Sequence, residues 1–214
     1  AVIIESIQGA SGFIVASNKF LVELNKVCKK YKVLIIFDEI QTCYGRTGTL
    51  FGFEQTPIIP DIICIAKGMG GGMPIGAFIS SWKNMNELTY NPKLGHITTF
   101  GGHPVNCAAS IATLEFILEN KIIKAIEKKE KLFRKHLQHK KIKKISGKGL
   151  MLSIDLYDEY HTNQLVKNCM SDGLLLFYFL FNTKSVRITP PLTISLNEIE
   201  MGCSIILKNL NKLN

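Results

Sequence analysis

No apolar stretch of this 214-residue sequence is long enough to cross a bilayer; the longest, Leu174 to Phe181, has the length of a strand. Closely spaced cysteine pairs are missing too. The six cysteines, at 28, 43, 64, 107, 169 and 203, form no C-x-x-C pattern, which argues against metal knuckles, and a disulfide framework belongs to smaller secreted chains. Most lie in apolar surroundings and read as buried thiols of a reducing compartment, the cytoplasm. Repeats and low-complexity tracts are absent. No basic segment with a cleavage site precedes the first strand, so no signal peptide is read, and the start inside an apolar run (Ala1-Val2-Ile3-Ile4) looks like a cut end.

Acids are scarce: 17 against 26 Lys and Arg, for a formal charge of +9. The excess is local. Residues 121–148 carry +10 by themselves and the remainder sums to −1. A nucleic-acid patch is one reading of that segment. Aromatic residues are not interleaved as a base-stacking platform needs. Ile122, Ile126, Phe133 and Leu137 fall instead at helical spacings among the lysines, which favours the solvated face of an amphipathic helix. Neither a nucleic acid nor a membrane is expected as a partner.

What is present is two short, β-branched apolar runs with charged ends. Val33-Leu34-Ile35-Ile36-Phe37 leads into Asp38-Glu39, and Asp61-Ile62-Ile63-Cys64-Ile65-Ala66 leads into Lys67, Gly68, Met69 and the glycines 70–72. Such runs read as buried strands of a parallel sheet, where ligands gather beyond the carboxyl ends. One acid and one amine are therefore delivered to one crevice, and the glycines leave room for a large group near the backbone. An apolar strand ending in Asp-Glu also describes the second motif of an ATPase, but G-x-x-x-x-G-K-[ST] does not occur here. A pyridoxal phosphate site accounts for both charges: lysine attacks the cofactor aldehyde, and aspartate keeps the ring nitrogen protonated.

Along the chain, strand 1–5, a Gly/Ser turn over 8–12, helix 18–30 and strand 33–38 form a β-α-β unit. A long loop spans 42–54, and strands follow at 61–66 and 76–80. Pro104 opens a helix to about 120, with Cys107, Ile111, Leu114 and Leu118 expected inward. After the basic helix, Leu150, Leu152, Ile154 and Leu156 alternate with Met151, Ser153 and Asp155, predicting a half-buried strand. Strands are expected at 174–180 and 185–189. A capping box, Ser195 with Glu198, should start a last helix facing inward through Ile199, Cys203, Ile206 and Leu210. The composition shift near 120 divides the chain into domains 1–120 and 121–214.

Asp38-Glu39-Ile40-Gln41-Thr42-Cys43-Tyr44-Gly45-Arg46-Thr47-Gly48, with Pro60-Asp61-Ile62 and Ala66-Lys67-Gly68-Met69-Gly70-Gly71-Gly72-Met73-Pro74-Ile75-Gly76-Ala77, resembles the signature of class III pyridoxal-phosphate aminotransferases. Thr98-Thr99-Phe100-Gly101-Gly102-His103-Pro104, Gly147-Lys148-Gly149-Leu150-Met151 and Val186-Arg187-Ile188-Thr189-Pro190-Pro191-Leu192 resemble later motifs of that family, whose acetylornithine and ornithine members look nearest. The resemblance implies a fold-type I α/β architecture: the later part of a large parallel or mixed-sheet domain, then a small C-terminal α/β domain. It implies a cytoplasmic homodimer with a shared active site, pyridoxal 5′-phosphate as cofactor, and transfer of an amino group from an ornithine- or acetylornithine-like ω-amine to 2-oxoglutarate. Alternatives are another class III activity, on 4-aminobutyrate, lysine or other ω-amino acids, or an inactive fragment.

Carried over by position, the resemblance makes Lys67 the residue that binds the cofactor covalently and Asp38 the partner of the ring nitrogen. Gln41 would contact the ring hydroxyl, Thr99 the phosphate in the neighbouring subunit, and Arg187 the substrate carboxylate, a role suited to its forked donors. Three departures stand out. Glu5-Ser6-Ile7-Gln8-Gly9-Ala10 has alanine where ornithine-type relatives carry an acid that pairs with the carboxylate-binding arginine. His103 replaces an asparagine and is expected to be a loop residue. The family's earlier half, with its phosphate loop and ring-stacking aromatic residue, has no counterpart in this sequence.

Overall fold

A computed structural model describes residues 1–93 and 96–213. The chain divides into two compact units. One comprises Ala1–Ser6, Ala16–Tyr44 and Thr49–Asn120; the other comprises Ile7–Val15, Gly45–Gly48 and 121–214.

The first unit is an α/β layer. Strands β1 (Val2–Ile4), β2 (Ile35–Asp38), β3 (Ile62–Ile65) and β4 (Ala77–Ser80) form one sheet in that order. The first three are parallel, and β4 runs antiparallel to β3. The crossover between β1 and β2 is α1 (Asn18–Lys30), started by the Ser17 side chain, which accepts the Phe20 N–H, and closed by Lys29 and Lys30 in its last turn. Leu21 and Cys28 of α1 pack on Ile35 and Phe37 of β2 and on Ile58. A buried side chain of this size contributes about 1.5–3 kcal/mol. After α2 (Trp82–Asn86), α3 (Pro104–Glu119) opens on its proline.

The inward face of α3 differs from expectation. Ser110 and Ile117 are its buried residues, while Ile111 and Leu118 are more than half exposed. This helix is apolar nearly all round, so spacing alone could not select a face.

The second unit has an antiparallel sheet of β5 (Lys144–Lys148), β6 (Met151–Asp155), β8 (Ser185–Ile188) and β7 (Phe177–Tyr178), in the order β5-β6-β8-β7. Helices α4 (Ile126–His136), α5 (Glu159–Ser171) and α6 (Leu196–Lys212) bury their apolar stripes with Leu152, Ile154, Val186 and Ile188. α4 is amphipathic as its spacing predicts, with Ile126, Phe133 and Leu137 buried. The Ser195–Glu198 capping box starts α6, and Ile199, Cys203, Ile206 and Leu210 are buried.

Two expectations for this unit need correction, and one strand was not foreseen. β6 is buried on both faces, because Met151 joins Phe13, Phe179 and Ile7 in a second small cluster. The run 174–180 shrinks to the two-residue β7. β5 lies within the basic segment, unannounced by any apolar alternation; Arg134 of α4 holds it by donating to Ile145 O at 2.9 Å and Gly147 O at 2.8 Å.

Candidate active site

Asp38 is the last residue of β2, and Lys67 follows β3 by two residues, so both stand at the carboxyl edge of adjacent parallel strands. Asp38 is in register with Cys64, and the next residue, Glu39, donates its N–H to Cys64 O at 2.8 Å. The Asp38 carboxylate accepts the Ile40 N–H at 3.0 Å, which turns the chain sharply off the strand.

Lys67 adopts a left-handed backbone with φ 47°. For a residue with a long side chain this costs about 1–2 kcal/mol, and such strain concentrates at functional positions. The turn that imposes it, Lys67–Gly70, is fastened from α3. A Cβ on Gly71, whose φ is 57°, would lie 2.1 Å from Thr113 Oγ1, so only glycine lets the turn lie this close to the helix. Asn106 Nδ2 adds a bond to Pro74 O at 2.7 Å. The glycine run thus serves two ends: Gly70 and Gly71 pack against Ile75 and Thr113, while a Cβ on Gly72 would meet nothing within 4 Å.

Glu39 is a residue whose role the sequence did not disclose. Its carboxylate is fully buried and accepts Phe53 N at 2.6 Å, Gly52 N at 2.8 Å and the Thr42 hydroxyl. It thereby ties the signature loop to the start of the short 3-10 turn Gly52–Gln55. A side chain at Gly52 would reach within 2.9 Å of Glu39 Oε2. The adjacent Asp-Glu pair was the available signal, but the partners lie 13 and 14 residues away.

Cys43 sits in the same loop with its thiol directed at Ala66 O, and burial pushes that thiol up to about 11. Gln41 is half-buried in the turn after Asp38, and Thr99 is exposed in the loop before α3. His103 is an exposed residue at the N-cap of α3; its side chain makes no capping bond.

Arg187 belongs to the second unit, on β8. Its guanidinium carbon lies over the Phe179 ring at 4.7 Å and over the Phe13 ring at 5.7 Å. Burial lowers its pKa below the usual arginine range. The Pro190–Leu192 turn that follows β8 is held by two further cations. Arg46 donates to Pro190 O at 2.6 Å and Leu150 O at 3.0 Å, and Lys129 donates to Leu192 O at 2.6 Å. Burial brings Arg46 down to about 10. Ala10 brings no acid to this unit; its carbonyl accepts the Phe181 N–H at 3.0 Å.

Known proteins resemble this chain in sequence and fold. The acetylornithine aminotransferase of Caldanaerobacter subterraneus subsp. tengcongensis is 37% identical over 96% of this chain, which covers 52% of that protein. Among solved structures, the Plasmodium yoelii ornithine aminotransferase superposes with a TM-score of 0.89 at 30% identity, over 99% of this chain and 57% of that one. A Toxoplasma gondii ornithine aminotransferase, with pyridoxal phosphate at partial occupancy in its active site, gives 0.88 at 29% identity, over 98% and 50%. This chain therefore spans about half the length of the relatives it matches. Residues 1–210 match the family description Aminotransferase class-III, and the chain belongs to that family.

Proposed function

We propose that this chain supplies the lysine-bearing part of a pyridoxal 5′-phosphate-dependent aminotransferase. The enzyme would move an amino group from an ornithine- or acetylornithine-like ω-amine to 2-oxoglutarate. The observation that carries the reading is the placement of Lys67, strained and glycine-flanked, on the strand edge that also ends in Asp38. An amine and a carboxylate on one edge, with open space at Gly72, are the donor set this cofactor requires. When bound, the cofactor supplies an electron sink that allows the amino group to change carbon skeletons.

The residues of this chain do the rest. Lys67 would hold the cofactor covalently through its amine, and that amine would move the proton at the substrate carbon that bears the reacting nitrogen. Asp38 would keep the ring nitrogen protonated, and Gln41 would hold the ring hydroxyl. Thr99, exposed in its loop, would hold the phosphate of the cofactor bound in a second subunit. Arg187 clamps the substrate carboxylate. A homodimer with a shared site follows from the role of Thr99, and the exposed apolar residues Val105, Ile111 and Leu118 of α3 support such an interface. Residues 1–120 act as part of the larger domain and 121–214 as the smaller one, except that Ile7–Val15 and Gly45–Gly48, expected in the first, belong to the second unit. Six free cysteines support a reducing compartment, the cytoplasm.

Mixing the enzyme that contains this chain with pyridoxal phosphate and recording its visible absorbance tests the reading. The band of covalently bound cofactor should vanish in Lys67→Ala with the far-ultraviolet dichroism unchanged, and Lys67→Arg should not restore it. A band that survives in Lys67→Ala refutes the assignment.

A further inference from the structure

Arg187 reaches its place without an anionic partner. No carboxylate among the described residues pairs with it, and its Nε is buried with no hydrogen-bond partner. The acid on the same face of the sheet is Asp155, which pairs in register with Ser185, two residues before Arg187. Its carboxylate is taken by serine hydroxyls: Ser185 at 2.7 Å, Ser153 at 2.9 Å and Ser146 at 3.4 Å. What holds the guanidinium is a corner of two aromatic rings. Phe13 and Phe179 meet edge to face, with centroids 4.7 Å apart and planes at 80°, and the arginine lies over both.

This corner is built at a cost. Phe13 has φ 53°, a conformation disfavoured for a residue with a Cβ, and its ring is fully buried. The segment that carries it is closed on itself by the Ile7–Val15 bridge and the Gln8 N to Ile14 O bond. A second tie, from Phe181 N to Ala10 O, joins it to the stretch bearing Phe179. Aromatic rings attract a cation through their π-density and accept no in-plane hydrogen bonds from it. A carboxylate in the same place would occupy the fork that a substrate carboxylate needs.

We propose that Phe13 and Phe179 are the positioning residues of Arg187. They hold its guanidinium in place of an acid, so that its donors stay open to the carboxylate of an amino-acid or 2-oxo-acid substrate in both half-reactions. The proposal rests on the reading of Arg187 as the substrate-carboxylate residue. Its consequence is selectivity. A primary amine without a carboxylate leaves the open guanidinium donors of Arg187 unpaired and is a poor substrate.

The sequence has only three arginines, at 46, 134 and 187, so the experiment is tractable by nuclear magnetic resonance on the 15N-arginine-labelled chain. The Arg187 Nε–H signal, identified by its loss in Arg187→Lys, should be displaced by ring currents from the other two. Phe179→Leu should abolish the displacement and Phe179→Tyr should keep it. In the enzyme containing this chain, Phe179→Leu should raise KM for a carboxylate-bearing amino acid about tenfold, with a much smaller fall in kcat. KM for a carboxylate-free primary amine should not follow. An unmoved Nε–H signal in Phe179→Leu, or equal KM losses for both substrates, overturns the positioning role. An Arg187→Lys enzyme with the parent KM for the amino acid overturns instead the assignment of Arg187 itself, a separate outcome.

Discussion

Asp38 and Lys67 owe their positions to backbone. Each ends or follows a short parallel strand, and main-chain bonds such as Glu39 N to Cys64 O, together with the turn packed under α3, decide where they stand. Arg187 owes its position to side chains. Its strand sets only the face on which it emerges; Phe13, from a loop far away in sequence, and Phe179, from the connection between β7 and β8, decide the rest. The difference teaches that this chain fixes its proposed chemistry in the local frame of a sheet edge, and its proposed substrate contact in tertiary packing. Changes at the first should be all-or-none, and changes at the second graded.

The largest effect should come from Lys67→Ala. Loss of the amine removes both the covalent anchor and the proton carrier, and turnover should fall by at least about a thousandfold, roughly 4 kcal/mol of transition-state stabilisation. Steady-state kinetics of the complete enzyme measure it; a loss below about tenfold would place this residue among the graded contributors.

Glu39→Ala breaks the frame without touching the amine. Two buried backbone N–H groups, of Gly52 and Phe53, lose their acceptor, and the first unit should lose about 3 kcal/mol of stability. The urea midpoint reads this, with Glu39→Gln recovering part of it. If the midpoint stays put, the loop is held by something other than this carboxylate.

A smaller and graded loss is expected from Arg187→Lys. The lysine keeps the charge but loses the fork and much of the contact with the rings, so KM for the carboxylate substrate should rise about ten- to a hundredfold. A parent-like KM would erase the contrast between the two regions.

The smallest effect concerns pH. Burial raises the thiols of Cys43 and Cys169 to about 11 and that of Cys203 to about 12, from 9.0. The neutral thiol is favoured in the folded state, so this stability is fully present below pH 9 and is lost as pH rises and the unfolded chain ionises. Arg46, depressed from 12.5 to about 10, acts in the opposite direction and only at the alkaline end. Urea midpoints at about pH 8 and about pH 10 should therefore fall with rising pH, and replacing the three cysteines by alanine should flatten the slope. A slope unchanged in that triple variant would show that the thiols contribute nothing.

The sequence by itself determined the elements whose signals are local. The β1-α1-β2 unit, the capping box of α6 and the two charged strand ends could be read because hydrophobic periodicity, a serine–glutamate pair and an apolar run each span only a few residues. Motif resemblance determined the family. Tertiary structure decided which face of α3 is buried, since a helix apolar on every side carries no periodic preference. It decided that β6 is buried on both faces, because Phe13 arrives from a loop nearly 140 residues earlier to cover Met151. It drew Glu39 to Gly52 and Phe53, and it placed Arg187 over two touching rings that the sequence offered only as members of apolar runs. Contacts of that kind depend on loop closure, over separations up to that of Phe13 from Arg187, for which no short window of sequence holds a code.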